Sequence, residues 1–195
     1  VVTGGRQVTS FPFASSVTAQ RVMRVAQCCS GNIIWGSKRA DRRTDMGTHS
    51  RMHFLWTEFG DLSPARLYAL LKLRQNVFVI EQNCIFPEMD DRDQLARHLL
   101  VFRDPEHTEL IGCARILDGP VIGRIVVAES ARGAGVGHEI MRAAVDECER
   151  LLPGHPIRMS VQSHLTEFYQ RHGFILTGEP YVEDGIDHTD MIREW

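Results

Sequence analysis

The sequence predicts an α/β fold of the α+β kind, a mixed sheet flanked by helices. Three observations carry that expectation. Short apolar runs with strand character come first and strand–helix–strand units follow, an order that gives a mixed sheet with helices packed on it. A turn dense in glycine, Arg132-Gly133-Ala134-Gly135-Val136-Gly137, joins the apolar run Val121–Val127 to the helical stretch Val136–Leu151. The chain has 195 residues, 43% hydrophobic and 24% charged, which is ordinary composition for one globular domain with an added tail. No apolar run approaches the ~18 residues that a membrane span needs, so no membrane partner is expected.

Residues 1–50 show no sustained period of 2 or 3.6. They are rich in Ser, Thr, Arg and Gly and carry seven Lys/Arg against two acids. A plain tail, or sequence upstream of a true start at Met46 or Met52, is expected ahead of a targeting presequence. A short amphipathic helix over 17–27 is a weak expectation. The basic stretch Ser37-Lys38-Arg39-Ala40-Asp41-Arg42-Arg43 has no interleaved aromatics, so it reads as a solvated segment and not as a nucleic-acid arm. The remaining residues, 51–195, form the expected domain and carry a net charge of −8 against +5 for the first fifty. An acidic domain suits a cationic amine better than a nucleic acid.

Residues 52–58 read as a first strand, with Phe54 and Trp56 on one face and Leu55 on the other. Ser63 and Pro64 are an N-cap and a first helical residue. The helix they open runs to about Ile80 on the stripe Leu67, Leu70, Leu71, Arg74, Val77, Phe78. Arg74 interrupts that stripe. It needs a buried partner, or it sits at the edge and snorkels. Residues 83–95 are irregular and acidic. Strands over 98–102 and Leu110–Leu117 flank the turn Asp104-Pro105-Glu106-His107-Thr108. After Val121–Val127, the loop and its helix come a strand over 157–161, a helix over 165–171, and strands over 174–177 and 188–193.

The glycine turn has the makings of an anion site. Backbone N–H groups at a helix N-terminus lack internal partners, and the macrodipole places positive charge there. Glycine lets a diphosphate approach the main chain, and Arg132 adds a cationic fork. The spacing is neither a P-loop, since no Lys follows Gly137, nor the Gly-x-Gly-x-x-Gly of a dinucleotide fold. Arg132-x-x-Gly135-x-Gly137 resembles the acetyl-CoA loop of the GNAT N-acetyltransferase superfamily. A second motif, Phe168-Tyr169 followed by Gly173-Phe174, looks like the other half of that family's cofactor cleft. Residues 73–82, Glu88-x-Asp90-x-x-Asp93 with His98, and the tail from Tyr181 through Glu183 and Asp184 to His188 are similar to the ElaA-type branch. The resemblance covers roughly residues 52–193. It implies a mostly antiparallel sheet of six to seven strands with about four helices. It implies acetyl-CoA as co-substrate and a primary amine of a small molecule or peptide as acceptor.

By that resemblance, the strand before the loop splays from the next one. Ile125 and Val127 then supply main-chain contacts to pantetheine, a main-chain N–H near Val126 polarises the thioester, and residues 132–137 hold the diphosphate. Tyr169 is the candidate general acid. Glu81, His98 and His188 are the candidate bases, since imidazole titrates near neutrality. Arg74, Glu183 and Asp184 are the candidate acceptor contacts. Glu129 stands where many relatives have Pro, and Gln162 and His164 stand where other branches carry Asn. No metal is expected: His49 and His53 have helical spacing but no Glu follows His49, and Glu88-x-Asp90-x-x-Asp93 lacks the Gly and terminal Glu of a calcium loop. Scattered cysteines without a Cys-x-x-Cys point to reduced thiols and a cytoplasmic protein, monomeric or homodimeric. A non-catalytic acyl-CoA sensor and an acyl-homoserine-lactone-type acyl transferase are the alternatives.

Overall fold

A computed structural model describes residues 52–195; the expectations for residues 1–50, His49 among them, lie outside the described residues. Seven strands form one sheet in the order β1-β2-β3-β4-β5-β7-β6. They are β1 (His53–Glu58), β2 (Arg97–Phe102), β3 (Leu110–Leu117), β4 (Val121–Val127), β5 (Ile157–Gln162), β6 (Ile175–Glu183) and β7 (Ile186–Arg193). Every pairing is antiparallel except β4 with β5. Three α-helices accompany them among the described residues: α1 (Pro64–Arg74), α2 (Val136–Leu151) and α3 (Thr166–Gln170). That is one fewer than the four expected.

The first helix begins as the sequence requires, with Ser63 Oγ accepting from Arg66 N at 3.3 Å and Pro64 at the first position. It does not continue to Ile80 as an α-helix. From Gln75 to Glu81 it widens into a π-helix, with Gln82 N bonded to Val77 O at 3.2 Å and Cys84 N to Val79 O at 3.2 Å. The wider turn carries one more residue per hydrogen-bonded ring and re-aims the side chains at its end.

α2 buries Val136, Ile140, Met141, Ala144, Val145 and Cys148, the i, i+3, i+4 stripe of an amphipathic helix. This stripe packs on one face of the sheet with Leu99, Val101, Ile111 and Ala114 at one end and Ile157, Met159, Val161 and Phe174 at the other. α1 covers the opposite face, setting Leu70 against Cys113 of β3 and Val126 of β4. Strand β6 extends well past the 174–177 expected. Gly178 (φ +75°) and Pro180 break the pattern in sequence, but they fall where the β6–β7 register shifts between Thr177 and Tyr181. β6 is an edge strand, so the missing Pro N–H costs no ladder bond.

Candidate active site

The site begins where two parallel strands separate. β4 and β5 pair only at Val121 and Arg158, with Arg158 N bonded to Pro120 O at 3.0 Å. Beyond that point, among the described residues, β4 has a strand partner on the β3 side alone. Ala128 N donates to Ile111 O at 2.8 Å. Antiparallel alternation then turns the main-chain groups of Val127 toward the open side and those of Val126 toward β3. The main-chain N–H expected near Val126 to face the thioester points to β3 instead: the Val126 side chain is buried against Leu70 and Cys113, and its residue pairs with Cys113. Arg124 adopts φ +50° at the irregularity in the β3–β4 register.

The loop at the end of β4 turns into α2 on left-handed backbone. Gly133 (φ +78°) and Gly135 (φ +81°) both take left-handed backbone, and Gly135 is the N-cap of α2. Ala134 lies between them, and Val136 anchors the helix start in the core. A Cβ on Gly137 would stand 3.5 Å from the Phe168 ring, so this glycine sets how closely α3 approaches the first turn of α2. The Arg132 guanidinium points elsewhere. It donates to Val127 O at 3.2 Å and to both Glu81 oxygens at 2.6 and 2.7 Å. The Glu81 carboxylate beside it holds Arg132 above the ordinary guanidinium pKa. Two residues expected in different roles, phosphate fork and general base, thus neutralise one another. Glu81 also borders a cleft of about 320 Å³ between the π-helix and the end of β4, lined besides by Leu73, Val77, Ile80 and Glu129.

Tyr169 is 7% exposed and packs in the core cluster that Ile125 borders. Burial pushes its phenol up to about 12. Among the described residues no group hydrogen-bonds its hydroxyl.

The candidate bases separate sharply. His98 is 1% exposed, and its Nε2 donates to Asp93 O at 2.9 Å. Burial lowers its pKa below that of a free imidazole. A ring sealed in the core cannot meet a substrate, so His98 is corrected to a structural residue. His188 is partly exposed on β7, opposite Gln162 at the end of β5. Its Nδ1 lies 2.9 Å from Ile186 O. A carbonyl only accepts, so Nδ1 carries the proton and Nε2 presents a lone pair. Gln162 Nε2 donates to Gln82 Oε1 at 3.0 Å, tying this rim to the end of the π-helix. Cys84 Sγ donates to Asp184 O at 3.4 Å, which ties in the β6–β7 hairpin. Glu183 ends β6 and is exposed; Asp184 and Gly185, at φ +50° and +79°, form its two-residue turn. Asp-Gly between strands is a strong hairpin signal, and it was available in the sequence.

Arg74 is corrected too. It is 1% exposed and bonds Glu88 Oε1 and Asp93 Oδ1, each at 2.7 Å. Arg115 bonds Asp90 at 2.7 Å and Asp93 at 2.9 Å, and Arg124 bonds Glu88 at 3.0 Å and Asp90 at 3.2 Å. The hydrogen bond from Arg115 holds Asp90 well below the usual carboxylate range. Burial would raise Asp93, but Arg74 and Arg115 override it and pull it down. The acidic loop is thus a scaffold of three arginines and three carboxylates, not a lure for a cation. Nothing in the sequence pattern assigned Arg115 or Arg124 to it. Among the described residues no group of three or more His, Cys, Asp or Glu side chains is placed to hold a metal ion.

This splayed strand pair, with its glycine cradle and the Phe-Tyr helix behind it, has matching relatives. The family model described as an acetyltransferase (GNAT) domain matches residues 78–195. The chain belongs to the GNAT acetyltransferase family. It is 42% identical to the protein ElaA of Escherichia coli strain K12 over 142 residues, covering 69% of this chain and 91% of that protein. The crystal structure of Escherichia coli ElaA aligns with TM-score 0.68 and 39% identity, over 74% of this chain and 100% of that one. An acyl-CoA N-acyltransferase from Pseudomonas aeruginosa aligns with TM-score 0.68 and 39% identity, over 72% and 99%. The ElaA-type resemblance is borne out, and GNAT membership supports acyl transfer as the reaction class.

Proposed function

We propose that the protein transfers the acetyl group of acetyl-CoA to a primary amine. The observation that carries this reading is the open side of β4 ending in a left-handed glycine loop at the N-terminus of α2. The loop's unpaired N–H groups suit a diphosphate. A larger hollow of about 600 Å³ beside the first turns of α2, lined by His138, Arg142, Arg171 and Arg193, suits the phosphorylated nucleotide end of the same molecule. Val127, whose carbonyl is taken by Arg132, offers its main-chain N–H where an extended arm would add as a strand.

The chain's residues divide the proton work. The neutral amine nitrogen attacks the thioester carbonyl, and the C–S bond breaks. His188 Nε2 takes the proton that the nitrogen sheds, and the Tyr169 hydroxyl gives one to the departing sulfur. Burial keeps that phenol protonated throughout the neutral range, as an acid must be. With both oxygens on Arg132, Glu81 is assigned to positioning the cofactor loop. Glu183 and Asp184, exposed at the hairpin, supply negative potential at the acceptor's entrance. The buried thiols of Cys113 and Cys148, unbridged among the described residues, suit a reducing, cytoplasmic setting.

The test is free-thiol release from acetyl-CoA across a panel of primary amines. Amine-dependent release is expected, with turnover lower in Tyr169→Phe and acetyl-CoA affinity by calorimetry nearly unchanged. Acetyl-CoA binding without thiol release on any amine would instead mark a non-catalytic sensor. Preference for long acyl donors would mark lactone-type acyl transfer.

A further inference from the structure

The face of the sheet that α1 covers on β3 and β4 continues onto β5, β7 and β6, where it is exposed. Register places Gln162 opposite His188 and Ser160 opposite Asp190, with Tyr181 of β6 also opposite His188. Tyr181 leans across β7. Its hydroxyl donates to Asp190 Oδ1 at 3.0 Å and is also hydrogen-bonded to Ser160 Oγ. A phenol has one proton to give, so Ser160 is the donor in that second bond. The ring is thereby fixed. It lies within 24° of parallel to the His188 ring, with centroids 6.1 Å apart, and is 38% exposed. Asp190 Oδ2 has no partner among the described residues. Arg158, next on the same face of β5, is exposed and makes no ion pair among them.

We propose that this Ser160–Tyr181–Asp190 cluster binds a second positive charge on the acceptor, so that the favoured substrate is an alkyl diamine. The inference rests on the amine-acetylation reading above. The nitrogen that reacts must be neutral beside His188 Nε2. A carboxylate held by a phenol hydroxyl, with one oxygen unpaired among the described residues, has the opposite preference, for an ammonium that stays charged. The two points are separated by two residues of β7, about 7 Å at the strand's rise. An alkyl chain of about five carbons spans that distance at roughly 1.25 Å per bond. Arg158 stands at the far end and disfavours a third positive charge.

The experiment compares kcat/KM for 1,5-diaminopentane and n-pentylamine at one pH and ionic strength. Wild type is expected to prefer the diamine by roughly tenfold. Asp190→Asn should bring the ratio close to one, with acetyl-CoA binding unchanged by calorimetry, and Tyr181→Phe should give an intermediate ratio with Asp190 intact. A wild-type ratio near one, or a preference that survives Asp190→Asn, overturns the proposal. Titration of 1,5-diaminopentane into CoA-saturated protein separates the two readings. Diamine binding that Asp190→Asn abolishes, with no thiol release on any amine, keeps the cation site and removes the enzyme. Turnover of monoamines without diamine preference keeps the enzyme and removes the cation site.

Discussion

The hydrogen bond from His188 Nδ1 to Ile186 O fixes one tautomer before any substrate arrives. A free imidazole divides its proton between two nitrogens, and this bond suits His188 to the proton-taking role proposed for it. His188→Gln is expected to lower kcat by about 10²–10⁴, the usual worth of a positioned base, with acetyl-CoA affinity unaltered by calorimetry. An unaltered kcat would return the proton-taking role to Glu81 or to solvent. Glu81 shows how one tertiary contact redirects a residue. At a helix end it reads as a free carboxylate, yet its two bonds to Arg132 bring the π-helix and the glycine loop together. Both partners are about one-third exposed, so the pair is worth at most about 1 kcal/mol of stability. Its consequence lies in where it points two side chains.

The contact between α2 and β3 depends on a missing methyl group. A Cβ on Gly112 would lie 2.6 Å from Ile140 Cδ1 and 3.1 Å from Val126 O. Ile140 is fully buried and Val126 O belongs to the ladder, so neither yields freely. Gly112→Ala should destabilise the fold by about 1–3 kcal/mol, seen as a lower denaturant midpoint at unchanged m-value; an unshifted midpoint would mean the core accommodates the methyl. The same strand carries Arg115 into the ion-pair scaffold, so β3 fastens the acidic loop on one face while it seats α2 on the other. The π-helix performs a comparable service for α1. Its widened turn ends the helix with Glu81 and Gln82 facing the rim formed by Arg132 and Gln162, where a continued α-helix would rotate them away.

Across the molecule, buried titratable groups set the pH range of the fold. Burial lowers His98 and His172. The unfolded chain binds their protons first, so stability is complete above about pH 6.5 and falls as pH drops from there. Asp90 and Asp93, held low by arginines, add a second loss below about pH 4. At the other end, burial pushes Tyr169, Cys113 and Cys148 up to about 12. The folded state retains their protons longer, so stability is intact below about pH 8.5 and is lost as pH rises toward 12. Calorimetric Tm from about pH 3 to pH 11 should therefore form a plateau near pH 7–8; a flat profile between about pH 4 and pH 7 would contradict the His98 account. Deleting residues 1–50 is expected to leave acetyl-CoA binding intact, and a large rise in Kd by calorimetry would overturn that. Local chemistry was legible in the chain: Ser63-Pro64 as a helix start, the alternating glycines as a cradle, the Phe-Tyr and Gly-Phe pairs beside it, and through them the GNAT fold. These signals need only near neighbours, because caps, left-handed turns and periodicity are written within a few residues. The fates of Arg74, His98, Glu81 and His188 were not legible. All four are polar groups at the end of an element or on its margin. Whether such a group is sealed, paired or free depends on which distant carboxylate, carbonyl or guanidinium the folded sheet brings within 3 Å.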